Sequence, residues 1–258
     1  MSTAVLAAPA RAPGADTRPG LGRLTLVELR KMTDTRAGFW LLLTTAALTA
    51  AVVVISCLVF PDDESNLFNF LIMAVQPASI LLPIVGILLV SSEWTQRTAM
   101  VTFTLVPHRS RVLVAKLLAG LALSAIALQI CLVAALAATA FFGADGDATW
   151  SLSAGLLGQV AFTIAVSMAI GIGFGAVLLS SAPAIVLYFV LPTAFAALGA
   201  ISALSGAARW LDQSRTMAPM LEETLSATQW ARVATSLALW MAVPIALGFW
   251  RVVRSDVR

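Results

Sequence analysis

The side chains able to do chemistry are few in this chain, and they stand far apart. The one histidine, His108, lies between Pro107 and Arg109 with no cysteine or acid beside it. It has no partner for a catalytic pair or a metal site and reads as a solvated loop residue. Cys57 and Cys131 sit in apolar runs, where free cysteine behaves as a small buried hydrophobe; two isolated thiols make neither a metal site nor a disulfide framework. Gly171, Gly173 and Gly175 form the dense glycine cluster of the chain. A phosphate-cradling loop needs G-x-x-x-x-G-K-[ST], and no lysine follows these glycines. Inside an apolar helix they read as sites of close helix packing. No enzyme is expected, and no cofactor in this chain. The informative residues are those from Glu93 to Lys116, where charges of both signs are interleaved with Met100, Phe103, Leu105 and Val106. Such a segment docks something or folds back on a bilayer; the plain alternative is a basic anchor that merely sets topology.

The elements that must position these residues follow from composition. The 258 residues are 60% hydrophobic and 11% charged, against about 25% charged in globular chains. With 16 Lys and Arg and 13 Asp and Glu, a soluble fold of this size could not cover its surface. Disorder is excluded by the same numbers. The net charge of +3 is too small for a nucleic-acid partner. A mean hydropathy of +0.94 points to a polytopic membrane protein.

A hydrocarbon core about 30 Å thick needs roughly 20 helical residues. Six runs satisfy that requirement: 38–60, 68–92, 113–142, 153–179, 183–204 and 231–250. The expected fold is all-α, a six-helix transmembrane domain over 38–251. The second run carries Pro77 and Pro83, which bend it. Ahead of the spans, 1–20 is rich in Ala, Pro and Arg and reads as a disordered tail. It has neither the basic start nor the apolar length of a signal peptide. Residues 21–37 read as an amphipathic helix lying in the headgroup plane. Leu21, Leu24 and Val27 form its apolar stripe, with Leu26, Leu29 and Met32 alongside and Arg23, Arg30 and Lys31 on the remaining arc. A polar lead-in to the first span is the alternative. The segment 205–229 is too polar to span, and either caps the outer end or forms a loose loop.

Orientation follows from the basic residues. Thirteen of the 16 fall on one side: Arg11, Arg18, Arg23, Arg30, Lys31 and Arg36 ahead of the first span; Arg97, Arg109, Arg111 and Lys116 after the second; and Arg251, Arg254 and Arg258 at the end. Arg209, Arg215 and Arg232 fall on the other, together with Asp62, Asp63, Glu64, Asp145, Asp147, Glu222 and Glu223. The excess of Lys and Arg marks the cytoplasmic side, so both termini, including the tail 252–258, are expected there. No ionisable residue lies mid-span, so ion-coupling machinery of the kind built from intramembrane carboxylates is not visible.

The segment 93–111 resembles the signature of the ABC type-2 transporter permeases. The resemblance rests on Glu93 after the second span, the Arg97-Thr98 pair, the Leu105-Val106-Pro107 run, and Arg109-Ser110-Arg111 leading to Lys116. The amphipathic segment before the first span is similar too, as is the G-x-G-x-G followed by the short turn 178–184. Ser180 and Ser181 depart from it, standing where a basic residue is often found. The resemblance covers the chain beyond residue 20. It implies a permease subunit of an exporter in the cell membrane, pairing with a second copy or a related permease and with separate ABC ATPase subunits that hold ATP and Mg. It further implies a coupling loop of Glu93, Arg97, Thr98, Phe103, Val106, Pro107, Arg109 and Arg111, and a connecting helix carrying Leu24, Val27, Arg30 and Lys31. Membrane lipid is the remaining partner. Gln76, Tyr188 and Phe195 could line a path for a lipophilic or amphipathic cargo, although each also suits ordinary helix packing. The rival readings are a non-transporting membrane scaffold and a lipid-modifying membrane enzyme; for the second, the needed cluster of acid, His or Arg groups is not found.

Overall fold

The structure, a computed structural model, describes residues 20–59, 65–96, 109–222 and 224–254. Among them there is no strand. Six helices are long and apolar enough to cross a membrane. In lipid the backbone must satisfy its own hydrogen bonds, so apolar runs of this length fold as helices. In chain order the helices are α1 (Leu21–Asp34), α2 (Arg36–Val59), α3 (Leu67–Thr95), α4 (Arg109–Phe142), α5 (Ala154–Leu178), α6 (Ser181–Leu198), α7 (Ser205–Leu211), α8 (Gln213–Met217) and α9 (Ala227–Arg254). The spanning six are α2 to α6 and α9.

Several helix ends differ from the expected spans, for local reasons. Helix α3 runs on to Thr95 because nothing between Ser92 and Thr95 breaks it, and its start is capped by Asn66, whose Oδ1 accepts from the Asn69 amide at 3.0 Å. Helix α4 begins at Arg109 rather than Leu113. Helix α6 stops at Leu198 rather than 204, where Gly199 and Ala200 turn the chain. Helix α9 starts at Ala227 because Ser226 and Gln229 form a reciprocal capping box. A π turn over Ala238–Ala242 precedes Pro244, which has no N–H to offer the carbonyl one turn back.

Helices α3 and α5 are the buried central pair. A Cβ on Gly171 would overlap the Pro83 carbonyl, and one on Gly175 would come within 2.8 Å of the Ile87 carbonyl oxygen. The two backbones therefore touch where α5 has no side chain. Helix α2 and helix α4 close one flank of α3. There the Ala74 carbonyl, in the turn before Pro77, accepts from both Thr49 Oγ1 and Cys131 Sγ at 3.3 Å. Neighbouring helices thus support the backbone near a proline inside the span. Helix α9 covers the far side of α5. Helix α6 is exposed along most of its length.

Of the outer segment 205–229, the described residues up to 222 are not a loose loop. Met220 is fully buried, and Gln159 of α5 holds the segment by donating to the Met220 carbonyl (3.1 Å) and accepting from the Leu225 amide (3.0 Å). The Trp240 indole N–H donates to the Leu211 carbonyl at 2.7 Å. Met217, Met220, Val233, Leu237 and Trp240 form a second apolar core with α5.

Candidate functional site

Buried charged side chains meet at the end of the bundle where α3 finishes and α4 begins. Four side chains from three helices form a closed ring there. Lys116 of α4 reaches Glu28 at 2.6 Å and Glu93 at 3.0 Å; Lys31 of α1 reaches both carboxylates at 2.7 Å. Each ammonium is therefore shared by two acids, and the formal charges cancel. Lys116 also donates to the Leu89 carbonyl at 3.0 Å. Lys116 is 2% exposed, Glu28 4% and Glu93 7%. Unpaired charges would not survive such burial; paired and hydrogen-bonded ones do. Burial alone would lower the Lys31 pKa, but the carboxylates of Glu28 and Glu93 outweigh it and hold it above the ordinary lysine value.

Local sequence explains why the groups meet. Glu28 and Lys31 are three apart on α1, neighbours on one helical face. Helix α1 turns that face inward, so Glu28 and Met32 are buried while Leu26 and Val27 remain exposed. The stripe turned to the bundle is therefore Leu21, Thr25, Glu28 and Met32, while Val27 of the apolar stripe stays exposed. With this face inward, Glu28 meets Lys116 of α4. Leu24 is half-buried, and Arg30 is exposed.

Other contacts gather at the same end. Arg109 donates to the Val252 and Val253 carbonyls of α9 at 3.0 and 3.4 Å, binding the start of α4 to the end of the chain's last helix. The Ser91 and Ser181 hydroxyls are hydrogen-bonded at 2.8 Å, joining α3 to the start of α6. A cavity of about 320 Å³ opens beside the ring, with Lys31, Thr35, Ser92, Gln96 and Ser181 among its walls. In this arrangement both acids are paired with both bases. Its chemistry is that of a clamp, fastening α1 across α3 and α4.

Of the residues singled out from sequence, Lys31, Glu93 and Lys116 enter the ring together, with Arg109 close by in the same end and Arg111 half-buried on the first turn of α4. Arg97, Thr98, Phe103, Val106 and Pro107 lie outside the described residues. Gln76, Tyr188 and Phe195 do not form one lining. Gln76 is exposed on α3, whereas Tyr188 borders a cavity of about 290 Å³ with Ser79, Thr163, Ser167 and Gln213. Phe195 packs edge-on against Trp240, with ring centroids 5.7 Å apart, in the second core. Sequence reasoning missed Glu28. Its signal was a lone acid four residues before Met32 on an otherwise apolar face. The chain matches no protein-family model and no curated protein.

Proposed function

We propose that the chain is the membrane-embedded permease subunit of an ATP-driven exporter, acting with a second permease subunit and with separate ATPase subunits that carry ATP and magnesium. The observation that carries the reading is the buried ring of Glu28, Lys31, Glu93 and Lys116. It fastens α1 to the ends of α3 and α4, the helices joined by residues 97–108. A push on α1 or on that connection is thereby passed to α3, and through its glycine contacts to α5. An ATPase that closes on nucleotide needs such a stiff route into helices able to adopt a second packing. The likeness of 93–111 to the permease signature supports the same reading, and the basic excess supports a cytoplasmic position for this end and for both termini. The cargo is lipophilic or amphipathic; the mixed lining around Tyr188 between α3 and α6 suits such a molecule.

The test is purification of the tagged chain from its own membranes in mild detergent, with identification of bound subunits and an ATPase assay. A stoichiometric partner bearing a phosphate-binding loop is expected, with ATPase activity lost to transport in Arg97→Glu or Phe103→Asp. Recovery of the chain without such a partner would discard the reading in favour of a membrane scaffold.

A further inference from the structure

A groove of about 310 Å³ runs between α2 and α4, floored by Ala78 and Leu82 of α3 and crossed at one end by α1. Its walls have no polar group to spare. Thr45 Oγ1 donates to the Leu41 carbonyl at 2.7 Å, and Thr49 and Cys131 are both spent on the Ala74 carbonyl. What they present to the groove is methyl and methylene. From Leu123 to Cys131 the wall on α4 extends about 12 Å at 1.5 Å per residue. The outer lips, Ala46 on α2 and Ile126 and Ile130 on α4, are apolar and exposed, so the groove opens sideways at the level of hydrocarbon.

The character changes at the α1 end. Arg30 borders the groove there, beside Thr33. Arg23, two helical turns earlier, projects on the same side of α1, about 10 Å away. Among the described residues neither guanidinium has an acidic partner: the carboxylate of Glu28, on the neighbouring face, is taken by Lys31 and Lys116. An apolar slot entered from the bilayer and closed by an uncommitted guanidinium is complementary to one kind of molecule.

We propose that this groove is a binding site for an anionic phospholipid, with one acyl chain lying between α2 and α4 and the headgroup phosphate held by Arg30 and Arg23. The charge-satisfied walls select hydrocarbon, and the arginine fork selects phosphate at the chain's end. The inference requires only that α2 and α4 cross a membrane; it stands or falls separately from the exporter reading.

The full chain, reconstituted in phosphatidylcholine vesicles, is exposed to phosphatidylglycerol carrying a photoreactive diazirine in its acyl chain, and labelled peptides are mapped. Labels are expected within 42–49 and 123–131, well above those on α6, which is equally open to lipid and serves as the internal reference. Arg30→Gln should reduce groove labelling about fivefold, the effect of one basic side chain on anionic lipid, and leave α6 unchanged. Ala127→Phe, or Ala46→Leu should that variant fail to fold, should remove groove labelling by filling the slot. Equal labelling of groove and α6, equal groove labelling by the phosphatidylcholine analogue, or indifference to these substitutions would overturn the assignment.

Discussion

Replacing Lys116 by methionine tests the clamp directly. Methionine fills the volume and keeps α4 helical, but it removes the ammonium that reaches Glu28 at 2.6 Å and Glu93 at 3.0 Å. Lys31 alone then faces two carboxylates, each less than 10% exposed, and the ring carries one uncompensated negative charge. Breaking a buried pair by removing one partner costs about 3–5 kcal/mol. Helix α1 is the only member of the ring not itself a spanning candidate, so it can relieve the charge by swinging Glu28 into water. The population with α1 released should rise by at least ~100-fold, at 1.4 kcal/mol for each factor of ten.

Trypsin reads that population, because cleavage after Arg23, Arg30 or Lys31 requires α1 to unwind, and slow cleavage tracks the open fraction. The K116M chain should be cut in this stretch far faster than the parent, with the spanning helices intact. The decisive control is Glu28→Gln added to Lys116→Met. The double variant retains one acid and one base, Glu93 and Lys31, so charge balance is restored and most of the protection should return. A loss caused by missing lysine packing would not be rescued by changing an acid on another helix. If single and double variants are cut alike, or neither differs from the parent, the ring does not hold α1 and the reasoning fails.

The Lys31 contribution has a pH signature. Its folded pKa lies above the ordinary lysine value, so its stabilisation is whole below about 10.4 and is lost as pH rises through the folded value; a spin label at the exposed Thr33 should gain mobility on that alkaline side only. Gly171→Ala should cost about 1–3 kcal/mol through overlap with the Pro83 carbonyl, whereas Gly158→Ala, with open space around it, should be neutral or stabilising by up to about 1 kcal/mol; thermal unfolding in detergent separates them. Gln159→Leu leaves the Met220 carbonyl and Leu225 amide without their side-chain partner, at about 1–3 kcal/mol for each buried group, and should expose residues 202–226 to proteolysis.

The spanning helices were legible because lipid imposes one rule on every residue of a span, and twenty apolar residues in a row cannot be mistaken for much else. Helix ends were less legible where the decisive group lay outside the apolar run, although the Ser226 and Gln229 pair that starts α9 is a spacing visible in sequence. Residues 202–226 defeated composition for a different reason. Their polarity left a cap and a loose loop both open, and it is Gln159, far away in the chain and inside an apolar helix, that supplies the hydrogen bonds holding Met220 and Leu225 in place. The clamp shows the same logic in its strongest form. Lys116 alone looks like a topology signal, Glu93 a helix end, and Glu28 and Lys31 an unremarkable pair on a short helix. Amphipathic periodicity picks out only the apolar stripe of α1, because hydrophobic patterning counts side chains one helix at a time. A buried charge is decided by its partner on another helix, because leaving one partner of a buried pair alone costs about 3–5 kcal/mol. In an apolar chain with so few charges, the informative question is which of them can neutralise one another at an end of the bundle. Residues 28, 31, 93 and 116 answer it only once α1 is allowed to fold its acid inward.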